Sequence, residues 1–343
     1  LEDYMSNHSW LPARLVGALA LTGLLTTSFG FQSGGVVQRR GPSPYQMDQK
    51  DPAHHPKVYR IPLRGQMGTD INSAAYRNVI ADVKTKQPDL IVFVLNAADI
   101  DSNEHLPNID PEEFAKFDAD DMRNLINAFK TEIGDIPAVV WVQDSVGFAS
   151  LLAFAWPDLY MAPNARLYGL NNVFNMSTWT PDFEWHRKLY AAWESIAVGF
   201  FEAGGYPKAL ARGMIEAKHK LSVSWRGREL IWQEDDQGTY VVDDSTRSVA
   251  GFNAKIAEDL MLSKGTVEDL DDLLFALGYR EWDRSLVDGN QDGARLTDDY
   301  IKRWRAAYER SLTSWDTYVR EMGWASGDDA LVHLGKARRA LEE

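Results

Sequence analysis

Two unbroken apolar runs, Leu90 to Leu95 (LIVFVL) and Ala138 to Val142 (AVVWV), constrain the fold of this chain more than any other feature. A strand with one wet face alternates apolar and polar side chains, so a run without alternation needs apolar cover on both faces. Helices packed on either side of a parallel sheet provide that cover. The sequence around the runs supplies them. Ile71, Ala75, Val79 and Val83 recur at helical spacing within residues 71–86, and Pro111 to Ile133 form a second amphipathic segment. Val58 to Leu63 reads as a strand leading into a glycine turn at Gly65 and Gly68. Strand, helix, strand, helix, strand in this order implies an α/β fold with parallel strands and right-handed crossovers.

Further along, residues 146–156 suit a helix, Leu159-Tyr160-Met161 a short strand, and Pro181 to Ala203 a long helix. A shorter helix is expected near Pro207 to Ala217, a hairpin over 222–242 and two helical stretches within 251–278. After Trp282 the chain turns charged and Trp-rich, with helices expected over 296–322 and 326–343. Residues 281–343 therefore read as a separate helical C-terminal extension.

At the other end, Leu15 to Phe31 form an uncharged apolar run after Arg14, with Ser28 and Gly30 suited to the −3 and −1 positions of a leader-peptidase site. Residues 1–31 thus read as a signal peptide or N-terminal anchor, and the Gly-, Pro- and Gln-rich residues 32–56 as a flexible linker. The expectation is an exported protein, periplasmic or membrane-anchored and facing away from the cytoplasm.

Charge and composition exclude several functions. A net charge of −14, with no basic stripe, repels phosphate backbones and sets nucleic-acid partners aside. The chain has no cysteine, which removes thiol catalysis, thiolate zinc sites, disulfides and a lipoprotein anchor.

Residues 57–280 resemble the ClpP/crotonase-like superfamily, and within it the NfeD and signal-peptide-peptidase (SppA) branch of serine proteases. Val58 to Gly65 is similar to the first strand of those proteins and Pro88 to Asn96 to the second. Ile136 to Val140 and Asp158 to Ala165 are similar to the segments that bracket the nucleophile. Tyr190 to Ile215, with Gly204-Gly205 and Ala211, resembles the later helix pair, and Leu270 to Leu274 the closing helix. The resemblance implies a serine nucleophile, a lysine general base whose pKa falls through desolvation, and an oxyanion hole of backbone N–H groups after the second strand.

Carried onto this chain, the base falls on Lys188, with Phe183, Trp185, Leu189, Tyr190 and Trp193 available to desolvate it; the alternative is a surface lysine. The small-small-Ser-Ala-Gly pattern falls on Ser145-Val146-Gly147-Phe148-Ala149 and puts Gly147 where the nucleophile belongs. Ser145 is either a relocated nucleophile or a loop or cap serine, and Ser150 is expected to pack inside a helix. The oxyanion turn falls on Asn96-Ala97-Ala98-Asp99-Ile100, where glycines are replaced and Asp99 brings the wrong charge; Ala98, Asp99 and Phe148 form the implied pocket. The resemblance thus implies an exported peptidase homologue without activity, serving binding or assembly. It also implies peptide or membrane-protein segments as partners and homo-oligomers built through this domain. An active peptidase using Ser145 and Lys188 is the alternative. A crotonase-like acyl-CoA enzyme is a third reading, opposed by the export signal and the lack of a CoA-type motif.

Other patterns carry less. Asp144 with Asp99 and Asp101 would gather at the carboxyl edge of the sheet, either as solvated loop acids or as a polar or metal site that His186 could join. Asp288, Asn290, Asp292 and Asp299 partly match a calcium loop, but with Asp at the final ligand and Arg295 at an apolar position; a plain turn is the alternative. No other cofactor is expected. The tryptophans of the extension, Trp304, Trp315 and Trp324 among them, read as packing or as a partner surface.

Overall fold

The computed structural model describes residues 35–37, 55–97, 119–168, 170 and 183–342. All belong to one compact unit, Gly34–Glu343. Strands β2 (Val58–Arg64), β3 (Leu90–Ala97) and β4 (Ala138–Val146) run parallel side by side, connected through α1 (Ser73–Lys86) and α2 (Ala119–Glu132). Beyond β4 the sheet continues in parallel with β5 (Leu159–Met161) and β6 (Arg166–Tyr168), and closes antiparallel with β10 (Phe252–Asn253). The result is an α/β fold with a mostly parallel sheet, flanking helices and C-terminal helices.

The apolar runs behave as their lack of alternation requires. Ile91, Phe93, Leu95, Val140 and Val142 face the larger core cluster. Leu90, Val92, Val139 and Trp141 face a second cluster, closed by Leu273, Leu274 and Leu277. Ring contacts tie the first layer together: the Phe93 ring meets Phe129 of α2 edge-on at 5.0 Å and Trp156 at a tilt at 4.3 Å. Asn72 caps α1 by accepting the Ala75 N–H at 2.8 Å, which sets where that helix starts.

A second, four-stranded antiparallel sheet joins β7 (Leu221–Arg226), β8 (Glu229–Gln233) and β9 (Tyr240–Asp243) to β1 (Gly35–Val37). The hairpin expected over 222–242 is therefore part of a larger sheet. Its edge strand β1 comes from the segment read as a linker: Val36 pairs with Ile231, and backbone pairing outweighs the flexible composition there.

Between β4 and β5 the expected helix shrinks to α3 (Ser150–Ala153): β4 runs on to Val146, Gly147 then turns the chain at φ +94°, and the helix gives way to turns after Ala153. The long and short helices that follow are α4 (Phe183–Gly204) and α5 (Lys208–Ile215), and those within 251–278 are α6 (Ala254–Asp259) and α7 (Leu270–Ala276). No helix among the described residues is long and apolar enough to cross a membrane.

The C-terminal extension forms α8 (Ser285–Asp288), a long α9 (Gly293–Trp324) and α10 (Ala330–Glu342). Rather than standing apart, α9 is fastened to the sheet domain. Buried Asp292 caps α9 and takes the Arg60 Nε–H at 2.6 Å. Asp70, also buried, accepts from Trp304 Nε1 at 3.0 Å and from Arg305 Nη2 at 2.7 Å. Gly65 is the residue that permits this anchor: its φ is +88°, and a Cβ there would collide with the Asp70 carboxylate.

Candidate functional site

The carboxyl ends of β3 and β4 lie next to each other, with Asn96 opposite Asp144 and Ala97 opposite Ser145 after a register shift at Leu95/Asn96. Ligands of open parallel sheets bind at such an edge. The chain leaves it through the turn from β4 to α3, and this turn holds the candidate nucleophile positions.

Gly147 sits at the apex. Its N–H donates to the Tyr168 carbonyl at 2.9 Å, and its own carbonyl accepts the Ser150 N–H at 3.1 Å. With φ at +94°, it occupies a conformation that a side chain with a Cβ rarely adopts. The apex is thus shaped for glycine, and no hydroxyl projects from it.

Ser145 is neither a loop nor a cap serine. It is an inner residue of β4, fully buried, and its Oγ lies 3.1 Å from Ser150 Oγ. Ser150, the buried first residue of α3, has its single hydroxyl proton within reach of the carbonyls of Ser145 at 3.2 Å and Tyr168 at 3.1 Å. The two hydroxyls therefore staple β4, β6 and α3 together under the turn. Phe148 is half-buried against the main core.

Asp144 is already engaged. Arg166 on β6 donates its backbone N–H to Asp144 Oδ1 at 3.0 Å, its Nε–H to the same oxygen at 3.1 Å, and Nη2 to Oδ2 at 2.6 Å. This bidentate clamp raises the guanidinium pKa through hydrogen bonding and charge. It also neutralises the acid that a metal site on this edge would have used. Asp99 and Asp101, like Ala98, lie outside the described residues. Of His186 only its place in α4 is described.

Lys188 lies near the start of α4 and is exposed. The calcium-loop residues are spread over α8, the turn and α9. Asp288 ends α8, Asn290 takes φ +48° in the turn, Asp292 caps α9 and binds Arg60, and Asp299 lies within α9. Among the described residues, no group of three or more His, Cys, Asp or Glu could hold a metal ion.

Sequence reasoning missed Arg166 and Tyr168, which complete the edge. The short strand that carries them, three residues long, gives almost no periodic signal. It also missed Gln66, buried at the end of β2 with neither amide atom hydrogen-bonded.

No family model matches the sequence, and no curated protein matches it. Among solved structures, the chain is similar to a membrane-bound stomatin-specific protease, in a variant bound to a substrate peptide. The identity is 12%, the TM-score 0.40, and the likeness covers 64% of this chain and 79% of that one. The same kind of protease from Pyrococcus horikoshii, specific for a stomatin homologue, gives 13% identity and a TM-score of 0.36, over 64% and 77% of the two chains. An enoyl-CoA hydratase from Polaromonas sp. JS666 gives 14% identity and a TM-score of 0.35, over 84% and 88%.

Proposed function

We propose that this chain is an exported homologue of the NfeD and signal-peptide-peptidase type of serine–lysine protease, in which the inherited pocket binds or assembles and does not cleave. The order of motifs across residues 57–280 supports the ancestry. The β4–α3 turn supports the loss of chemistry, and it is the observation that carries the reading: Gly147, at φ +94°, has no atom able to attack a carbonyl. The hydroxyls that flank it in the sequence, those of Ser145 and Ser150, are buried and hydrogen-bonded to each other. A nucleophile needs an exposed oxygen beside a base, and neither buried hydroxyl offers one.

A labelled fluorophosphonate probe tests this on the purified protein. The expected result is no labelling above a heat-denatured control, in the native chain and in Ser145→Ala and Lys188→Ala alike. Labelling of the native chain that disappears in both variants would establish the alternative, an active peptidase using Ser145 and Lys188.

A further inference from the structure

One lysine stands on the buried side of a helix. Met122, Leu125, Ile126 and Phe129 of α2 are buried, and so is Ile133 just after it. Lys130 comes four residues after Ile126 and three before Ile133, so it shares their face. The residue is half-buried, and its amine lies 6.0 Å from the centre of the Trp156 ring. Trp156 is itself 8% exposed and packs on Phe93 at 4.3 Å. That distance is the outer limit of a cation–π contact, so the ring covers the amine more than it stabilises a charge there. Because α2 leads into β4 and Trp156 precedes β5, the pair lies where these parallel strands begin, opposite their carboxyl edge.

Other lysines of this chain are held as cations. Lys84 pairs with Glu132, Lys220 with Asp236, Lys255 with Asp259 and Lys264 with Asp158. Hydrogen bonding and charge from Asp236 and Asp259 push the Lys220 and Lys255 amines up. Lys130 is the reverse case. The acid two residues after it, Glu132, is committed to Lys84, and the acid two residues after Trp156, Asp158, is committed to Lys264. Burial pushes the Lys130 amine down, with no charged group acting on it among the described residues. The carbonyl end of α2 opposes this by no more than about 1 kcal/mol. An amine that holds its proton weakly is a nucleophile.

We propose that Lys130 is a site of covalent acylation, taking the acyl group of an activated donor, an acyl phosphate or an acyl thioester. The uncharged Nζ attacks the donor's carbonyl carbon with its lone pair and forms the new C–N bond. The C–O bond to phosphate, or the C–S bond to the thiol, then breaks and its electron pair goes to the leaving group. Nζ gives its extra proton to water. The product is a neutral amide, which suits an apolar setting better than an ammonium does. It breaks no ion pair among the described residues. Acylation of Lys264 would instead leave Asp158, 3% exposed, without its cation. The site lies away from the β4–α3 turn, so it does not depend on whether the pocket is active.

Competitive labelling of the full chain tests this. The native protein is exposed at neutral pH to limiting acetyl phosphate and, separately, to S-acetylglutathione, and the acetylation rate of each lysine is read by mass spectrometry of its peptides. Lys130 is expected to lead Lys220 and Lys255 by about ten-fold with at least one donor, and the donor that achieves it identifies the class. In urea the lead is expected to vanish, because the cover over the amine is gone. Lys130→Arg should remove the label from that peptide and leave the others unchanged. A Lys130 that both donors acetylate no faster than Lys220 and Lys255 in the native chain would overturn the inference. So would a lead that survives in urea, which would place its cause in the local sequence and not in the fold.

Discussion

At the scale of single residues, the decisive position is Gly147, for conformational as well as chemical reasons. A side chain at φ +94° raises the energy of the turn, and the Gly147 N–H is committed to Tyr168. Gly147→Ala is therefore expected to lower stability by about 1–2 kcal/mol, read from urea denaturation. A change within a few tenths of a kcal/mol would mean that the turn relaxes freely and that glycine is not required there. Ser145 shows how a chemically suggestive residue can be structural. Its hydroxyl lies inside the sheet, where pairing with Ser150 satisfies a buried polar group that would otherwise be costly.

At the scale of elements, the α9–α10 hairpin has an acid-sensitive seam. The hydrogen bond from His333, with Lys336 and Arg320 nearby, holds the Glu321 carboxyl below the usual glutamate range. Because the folded pKa lies below the unfolded one, its contribution is fully present above the ordinary glutamate pKa. It is lost as pH falls through the depressed folded value. Unfolding free energy measured against pH should therefore fall more steeply on the acid side in the native chain than in Glu321→Gln. Parallel curves for the two proteins would show that the pair contributes nothing.

At the scale of the whole molecule, the C-terminal helices and the sheet domain are one structure. Asp70 is buried, and it receives Arg305 and Trp304 from a helix more than two hundred residues away along the chain. Asp70→Ala would leave Arg305 without its carboxylate in a part-buried place and is expected to cost about 3 kcal/mol, with one cooperative transition retained. Two separated transitions would instead identify the extension as an independent unit.

The apolar runs at Leu90 and Ala138, and the helical spacing of Ile71 to Val83, made the parallel sheet and its covering layers legible from sequence alone. Periodicity is a relation between neighbours in the chain, and burial on two faces imposes it directly. That position 147 carries no side chain was also legible, because glycine has none in any fold. Whether Ser145 could take over was not. That depended on Ser150 and Tyr168 closing over it, and the fate of Asp144 depended on Arg166, which sits on a strand too short to predict. The docking of α9 likewise rests on Asp70, which nothing in its local sequence distinguishes from a solvated acid, and on Asp292, whose local pattern pointed to a calcium loop and not to Arg60. Contacts between distant residues form only when the chain closes on itself, so the sequence by itself determined the layers and the glycine at the turn, and the tertiary structure decided what Ser145, Asp144, Asp70 and Asp292 are used for.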